Sequence, residues 1–192
     1  MQTLMVFNSI TLDGYFTGEN GDLSWAHQRD RESDPEWNAY IESNASGGGT
    51  LLLGRKTYDM MKAYWPTPQA KQNDQKVAEG MNRSKKVVFS RTLGDPGWEN
   101  TRVVKNDIVD EVRRLKNESG EGLVLLGSGS IVAQLAQAGL VDAYTFVVVP
   151  VVIGKGRTMF EGVDNAPALQ RTDVKTFRNG NVVLSYSAAP RA

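Results

Sequence analysis

The sequence predicts an α/β fold built on a mostly parallel β-sheet, and two observations carry that prediction. Short apolar runs rich in Val, Leu and Ile alternate with segments of helical periodicity, which implies crossover connections between parallel strands. Beyond Gly139 the regular segments Tyr144–Ile153 and Val182–Ser187 are both strand-like. We therefore expect antiparallel strands to complete the sheet at its C-terminal end.

The predicted strands are nearly continuous apolar runs, a pattern typical of strands buried on both faces. They are Leu4–Leu12, Leu51–Leu53, Val87–Phe89, Val103–Val104, Leu123–Leu126, Tyr144–Val149 and Val182–Tyr186. Helices are predicted after the capping residues Asp34 and Asp107, around Tyr58–Met61, from Ile131 onwards, and within Gln72–Met81. The longest predicted loops, Thr17–Ser33 and Thr67–Gln75, are either binding loops or plain surface loops.

The composition fits a single domain over residues 1–192 and excludes several kinds of site. Lys plus Arg and Asp plus Glu both total 22, so we expect no affinity for nucleic acid or acidic lipid. The lack of cysteine excludes thiolate zinc sites, and the single histidine, His27, excludes a multi-histidine metal site. No apolar stretch reaches the ~18 residues of a membrane span, and the N-terminus lacks a signal-peptide pattern, so we expect a cytoplasmic protein.

The most informative candidate site is the turn Gly127–Ile131, where a buried strand runs directly into a helix. Its glycines let the backbone approach a ligand closely, and the first N–H groups of a helix favour phosphate. Ligands of open α/β sheets bind at the carboxyl ends of strands, where this turn lies. Val132 stands where the dinucleotide fingerprint has a third glycine, so a purely structural tight turn is the alternative.

Two other predicted strands end in residues that suit phosphate. The Leu51–Leu53 run is followed by Gly54–Thr57, with two cations and a hydroxyl, and the Val87–Phe89 run is followed by Ser90 and Arg91. Three such strand ends predict one extended phosphorylated ligand across the edge of the sheet. A dinucleotide fits, and the additional cation Arg91 indicates the 2′-phosphate of NADP.

Five motifs, in this order, resemble the dihydrofolate-reductase superfamily. They are Ile10–Phe16, Gly54–Tyr58, Phe89–Arg91, Gly127–Ser130 and Pro150–Arg157. Within that superfamily the chain is most similar to stand-alone proteins related to the reductase domain of the bifunctional riboflavin biosynthesis deaminase-reductase. The resemblance implies a three-layer α/β/α fold with a mostly parallel twisted sheet and antiparallel C-terminal strands. It also implies NADPH as the cofactor and a homodimer, for which the apolar Tyr144–Ile153 strand is the predicted interface.

The resemblance further implies which residues hold NADPH. Gly54–Thr57 and Gly127–Ile131 match pyrophosphate sites, Ser90 and Arg91 match the adenosine 2′-phosphate site, and Asp13–Trp25 matches a mobile loop over the nicotinamide. The cofactor-binding residues implied are Asn8, Ser9, Phe16, Gly54, Arg55, Lys56, Thr57, Ser90, Arg91, Gly127, Ser128, Gly129, Ser130 and Ile131.

The sequence departs from dihydrofolate reductase at the proton donor, an acid on the helix after the mobile loop. Counting back from Gly54 without gaps puts Asn38 at that position, and gaps bring in Trp37 or Glu36. Asp34 is the other acid there, and it also fits the helix cap. Asparagine cannot supply a proton as an acid does. By their position at the start of this helix, the three catalytic candidates are Glu36, Asn38 and Asp34.

These observations predict an NADPH-dependent reductase that transfers hydride to a small pterin-like or riboflavin-precursor-like substrate. The cofactor performs that chemistry, so few catalytic side chains are needed. The alternative is a non-catalytic nucleotide-binding or regulatory module on the same fold, which the asparagine at the proton-donor position favours. No metal site is expected in either case.

Overall fold

The computed structural model describes residues 1–26, 34–164 and 167–189, and the chain divides into two compact units. The first unit comprises Met1–Leu4 and Ala39–Ser128, and the second comprises Met5–Asn38 and Gly129–Ala192. The single domain predicted over residues 1–192 stays a prediction. His27 lies outside the described residues.

Eight strands and six α-helices are found in the described residues. The strands are β1 (Leu4–Thr11), β2 (Thr50–Gly54), β3 (Lys85–Phe89), β4 (Thr101–Val104), β5 (Leu123–Leu126), β6 (Ala143–Val149), β7 (Leu169–Thr176) and β8 (Val182–Ala188). The helices are α1 (Pro35–Ser46), α2 (Arg55–Tyr64), α3 (Pro68–Asn73), α4 (Gln75–Arg83), α5 (Ile108–Lys116) and α6 (Gly129–Gln137).

The first unit contains four parallel strands in the order β4-β3-β2-β5. The central strands β2 and β3 are buried along most of their length, as their apolar runs predict. Their side chains join those of α2 and α4 in one apolar core. Its buried members are Leu51, Leu53, Tyr58, Val77, Met81, Val88, Leu93 and Trp98.

Lys86 is buried in this unit although its charge makes burial costly: only 1% of its surface is exposed. Its Nζ donates to the carbonyl oxygens of Met81, Asn82 and Ser84 at 2.8, 3.2 and 2.7 Å. These carbonyls lie at the C-terminal end of α4, where a helix leaves acceptors without partners. The ammonium also lies 4.3 Å from the ring centroid of Trp98. Burial lowers the pKa of Lys86 to about 8.

In the second unit the strand order is β1-β6-β8-β7. β1 and β6 are parallel, whereas β8 is antiparallel to both of its neighbours. α6 begins at Gly129 and buries Ile131, Val132, Leu135 and Ala136, which recur at helical spacing. The predicted α/β class, mostly parallel with antiparallel C-terminal strands, is therefore confirmed.

Three boundaries differ from the sequence prediction. The strand expected over Tyr144–Ile153 ends at Val149, because Pro150 lacks the N–H that a central strand needs. The helix expected in Gln72–Met81 is two helices, since Asp74 leaves helical geometry between α3 and α4. Most of the predicted loop Thr67–Gln75 is therefore helical, and the Thr67 hydroxyl caps α3.

One strand was not predicted at all. All eight residues of β7 are exposed, so neither face of the strand requires apolar side chains. Its sequence therefore lacks the alternation of apolar and polar residues that predicts a strand. Its partner β8 holds it in place by antiparallel pairing, with an irregularity between Arg171 and Asp173. Among the described helices, none combines the length and hydropathy needed to cross a membrane.

The contacts of Lys86 predict a large effect on stability. Lys86→Met removes the donor for three carbonyl oxygens, and we expect the free energy of unfolding to fall by about 1–3 kcal/mol. Lys85→Met changes the exposed neighbouring lysine and should alter it by less than about 0.5 kcal/mol. Urea unfolding of both variants measures the difference. Equal stabilities of the two variants would show that the Lys86 contacts add nothing.

Candidate functional site

Three strand ends of the first unit lie side by side. In the parallel pairing of β2 with its neighbours, Gly54 is opposite Phe89, and Leu53 is opposite Leu126. The segments that follow these strands, Arg55–Thr57, Ser90–Arg91 and Gly127–Ser128, therefore leave one edge of the sheet together. This is the arrangement that the sequence predicts for a phosphate-binding edge.

α2 begins directly at the end of β2, with Gly54 as its N-cap. The first N–H groups of a helix have no acceptor within the helix, and they carry the positive end of its dipole. Glycine has no side chain that could accept from those of α2. Lys56 is exposed on this first turn, while the Arg55 Nε donates to the Asp59 carboxylate at 2.6 Å. Asp59 thus partly offsets the charge of Arg55, and Lys56 supplies the exposed positive charge.

The turn after β5 is held by the hydroxyl of Ser128. Its Oγ accepts a hydrogen bond from the Gly54 N–H at 2.8 Å and lies 3.0 Å from the Thr57 Oγ1 and 3.3 Å from the Leu126 carbonyl oxygen. Ser128 therefore joins the ends of β2 and β5 to the first turn of α2. Its hydroxyl, expected from the sequence to face phosphate, is engaged within the protein.

The backbone of this turn is unusual. Gly127 and Ser128 both have φ of 58°, a region that favours glycine. A side chain at Gly127 would place its Cβ 2.7 Å from the Thr57 Oγ1, so glycine is required there by space as well as by conformation. Ser128 adopts the left-handed conformation at a cost of about 1–2 kcal/mol, which its hydrogen bonds offset.

The turn after β3 is ordered by Ser90. Its Oγ accepts hydrogen bonds from the N–H groups of Leu93 at 3.1 Å and Thr92 at 3.4 Å, and its own N–H donates to the Val104 carbonyl. Arg91 between these groups is exposed. The hydroxyl therefore shapes the turn, and the guanidinium of Arg91 is presented to solvent at the same edge as Lys56.

In the second unit, Gly129 is buried at the start of α6, and the exposed Ser130 follows it. A Cβ at Gly129 would lie 2.7 Å from the Phe16 Cε1, so the Phe16 ring packs directly on this glycine. Ile131 is 4% exposed and belongs to the core, so its side chain is not available to a ligand. Of this stretch, the backbone at Gly129 and the Ser130 side chain are left as candidates for binding.

A cleft of about 430 Å³ opens beside the start of α6. That volume lies in the range of small-molecule sites. Its lining comes from α6 and the segment after β6: Gly129, Ser130, Ala133, Gln134, Gln137, Arg157, Thr158, Met159, Glu161 and Gly162. Met159 also accepts a hydrogen bond, at 3.6 Å, from the side-chain amide of the buried candidate Asn8. Ser9, the next residue of β1, is half-buried.

The start of the predicted mobile loop is tied to the segment after β6. Asp13 accepts hydrogen bonds from the N–H groups of Gly154 at 2.7 Å and Ile153 at 3.2 Å, and the Phe16 N–H donates to the Arg157 carbonyl. The hydroxyl of Thr11 and these donors lower the pKa of Asp13. Ile153 and Gly154 lie 140 and 141 residues further along the chain than Asp13.

The three catalytic candidates occupy the first turn of α1 and its cap. Asp34 is fully buried, and its carboxylate accepts hydrogen bonds from the N–H groups of Trp37 and Asn179. Glu36 is exposed, and Asn38 is half-buried. Asp34 therefore does cap the helix, but its contact with Asn179 has no signal in the sequence. Arg157 and Thr158 were likewise not among the predicted site residues, because their place beside α6 depends on the loop after β6.

Comparisons with known proteins agree with this architecture. A family described as the RibD C-terminal domain matches residues 2–183. The uncharacterized protein YyaP of Bacillus subtilis (strain 168) is 31% identical over 179 residues, which cover 93% of this chain and 90% of YyaP.

Two solved structures are similar over nearly their whole length. A putative riboflavin biosynthesis protein from Shewanella sp. PV-4 has a TM-score of 0.72 at 19% identity, covering 99% of this chain and 100% of that chain. Dihydrofolate reductase from Enterococcus faecalis, complexed with NADP(H) and RAB-propyl, has a TM-score of 0.64 at 17% identity. The similarity covers 98% of this chain and 97% of that chain. At these identities the similarity shows the fold alone, and the predicted dihydrofolate-reductase-like fold is confirmed.

The role of Ser128 predicts different outcomes for two substitutions. Ser128→Ala removes the acceptor of the Gly54 N–H and keeps the strained backbone, so the free energy of unfolding should fall by about 1–3 kcal/mol. Ser128→Gly loses the same hydroxyl but relieves the strain, so it should be more stable than the alanine variant by about 1 kcal/mol. Thermal unfolding, with the exposed Ser130→Ala as control, separates the two effects. An alanine variant as stable as wild type would rule out this role.

Proposed function

Because the chain belongs to the RibD C-terminal domain family, we propose that it is an NADPH-dependent reductase acting on a small heterocyclic, carbonyl or imine substrate. The observation that carries the proposal is the edge of the first unit where three parallel strands end in register. An uncapped helix start and two exposed cations, Lys56 and Arg91, meet the needs of a phosphorylated cofactor there.

The residues of this edge fit the phosphates of a dinucleotide. Gly127 has no side chain that would block the Thr57 hydroxyl, and the N–H groups that begin α2 lack partners within the helix. In the proposal, the first turn of α2 with Lys56 binds the pyrophosphate, and Arg91 binds the 2′-phosphate. Ser128 keeps these groups in place through Gly54 and Thr57.

Among its described residues, the second unit offers few side chains for acid–base catalysis, which favours a substrate whose reduction needs little help from side chains. Bound NADPH would supply the hydride, and the protein would orient the substrate and exclude water. The carboxylate of Asp34 is occupied by main-chain donors, and Asn38 cannot act as an acid. We therefore propose an electrophilic carbonyl or imine whose proton comes from water or from the exposed Glu36.

The same observation about Asp34 favours a second candidate function, a nucleotide-binding module without turnover. The two functions share the phosphate site and differ only in whether bound NADPH is oxidised when pterins, flavin precursors or carbonyl compounds are added. A homodimer and a cytoplasmic location stay predictions from the sequence.

The cofactor is tested by titrating the protein with NADPH and with NADH while following tryptophan fluorescence. We expect saturable quenching by both, with NADPH binding at least about tenfold more tightly because a charged hydrogen bond contributes about 1.5–3 kcal/mol. Arg91→Ala should abolish most of that preference by weakening NADPH alone. Arg83→Ala is the matched control, because Arg83 is also exposed but precedes β3 rather than following it.

Two results would contradict the proposal. If wild type shows no saturable binding, the protein does not bind a dinucleotide cofactor. If Arg91→Ala keeps its preference for NADPH, the protein binds the dinucleotide, but a residue other than Arg91 binds the 2′-phosphate.

A further inference from the structure

The buried carboxylate at the start of α1 is more than a helix cap. Asp34 is 0% exposed, and its Oδ1 accepts a hydrogen bond from the Trp37 N–H at 3.1 Å, as an N-cap does. Its Oδ2 accepts a second hydrogen bond from the Asn179 N–H at 3.0 Å. Asn179 lies 145 residues further along the chain, in the turn between β7 and β8. Each oxygen therefore holds a different part of the second unit.

A second contact joins the same two elements. The Trp37 ring meets the Phe177 ring edge to face, with centroids 5.1 Å apart and planes at 77°. Such edge-to-face pairs add to stability beyond the apolar area that they bury. The first turn of α1 is thus fixed to the turn after β7 both by a carboxylate and by an aromatic pair.

The turn that receives these contacts is itself well ordered. The Phe177 N–H donates to the Asn181 carbonyl at 3.0 Å, and the Gly180 N–H donates to the Phe177 carbonyl at 2.9 Å. The Asn179 side-chain oxygen accepts from the Asn181 N–H at 2.9 Å. A turn held by three internal hydrogen bonds gives the Asp34 carboxylate a fixed anchor.

We propose that Asp34 is a positioning residue, which fixes the first turn of α1 to the 177–181 turn and so sets where Glu36 and Asn38 stand, and is not the proton donor. The part of this inference that concerns catalysis rests on the proposed reductase function. The structural part does not, since it concerns contacts within the second unit.

The protonation state of Asp34 agrees with this role. Burial raises its pKa, but the hydrogen bonds from the N–H groups of Asn179 and Trp37 lower it by more, so the net pKa lies below the ordinary value. A carboxyl with a lowered pKa is ionised at neutral pH and holds no proton to donate. Its contribution to stability is present above the unfolded-state pKa and is lost as the pH falls through the folded-state pKa.

Hydrogen exchange of single amides in the protein without cofactor tests the structural part. Asp34→Asn keeps an oxygen for the Trp37 N–H but turns an amide group towards Asn179, so we expect exchange at Asn179 to quicken at least about tenfold while Trp37 stays protected. Asp34→Ala should quicken both. Glu36→Gln, which changes an exposed carboxylate on the same turn, should quicken neither. Unchanged exchange at Asn179 in both Asp34 variants would overturn the proposal.

A measurement on wild type covers the case in which the variants do not fold. The carboxyl carbon of Asp34, followed by NMR through an acid titration, should show an inflection below the ordinary range of aspartate, about 3.9. An inflection near neutral pH would identify a proton donor and overturn the proposal.

The catalytic part is tested by the pH profile of NADPH oxidation, with 7,8-dihydrofolate as the probe acceptor. A positioning role predicts that Asp34→Asn lowers kcat/KM and keeps the profile of wild type. Loss of an acidic limb in the variant would make Asp34 the donor. If wild type fails to bind NADPH, the reductase proposal fails, and the exchange and titration results still decide the role of Asp34.

Discussion

The hydroxyl of Ser128 is the interaction on which the candidate cofactor edge depends. Parallel pairing brings the ends of β2, β3 and β5 into register, but it does not fix the loops that follow. Ser128 does so by accepting the Gly54 N–H and meeting the Thr57 hydroxyl. Ser128 thereby joins the first turn of α2 to the turn after β5.

This arrangement explains why a strained residue is tolerated there. A non-glycine residue in the left-handed region is uncommon, and persists where surrounding contacts determine it. At Ser128 those contacts are hydrogen bonds to three different segments, the β2 end, the α2 start and Leu126. The cost is local, and the gain is a fixed set of N–H groups and cations at a single edge.

Much of this could be read from the sequence because the signals are local. Buried apolar runs, the cap Asp107 and the strand ends at Gly54, Phe89 and Leu126 all follow from residue type and spacing. The sequence did not reveal β7, whose exposed residues follow no period. Nor did it reveal the contacts of Ser128 with Thr57 and of Asp13 with Gly154, which join residues 71 and 141 positions apart. Residue type identifies a hydroxyl or a carboxylate, but only the fold determines which group it meets.

Hydrogen exchange of the amides of Arg55, Lys56 and Thr57, with and without saturating NADPH, shows directly whether the first turn of α2 binds the cofactor phosphates. The amides of Ile108–Asp110 are an internal control, because the Asp107 carboxylate already accepts from the start of α5. If the edge holds the cofactor phosphates, exchange at residues 55–57 slows at least about tenfold while residues 108–110 are unchanged. If NADPH binds without slowing exchange at residues 55–57, its phosphates do not lie at the first turn of α2.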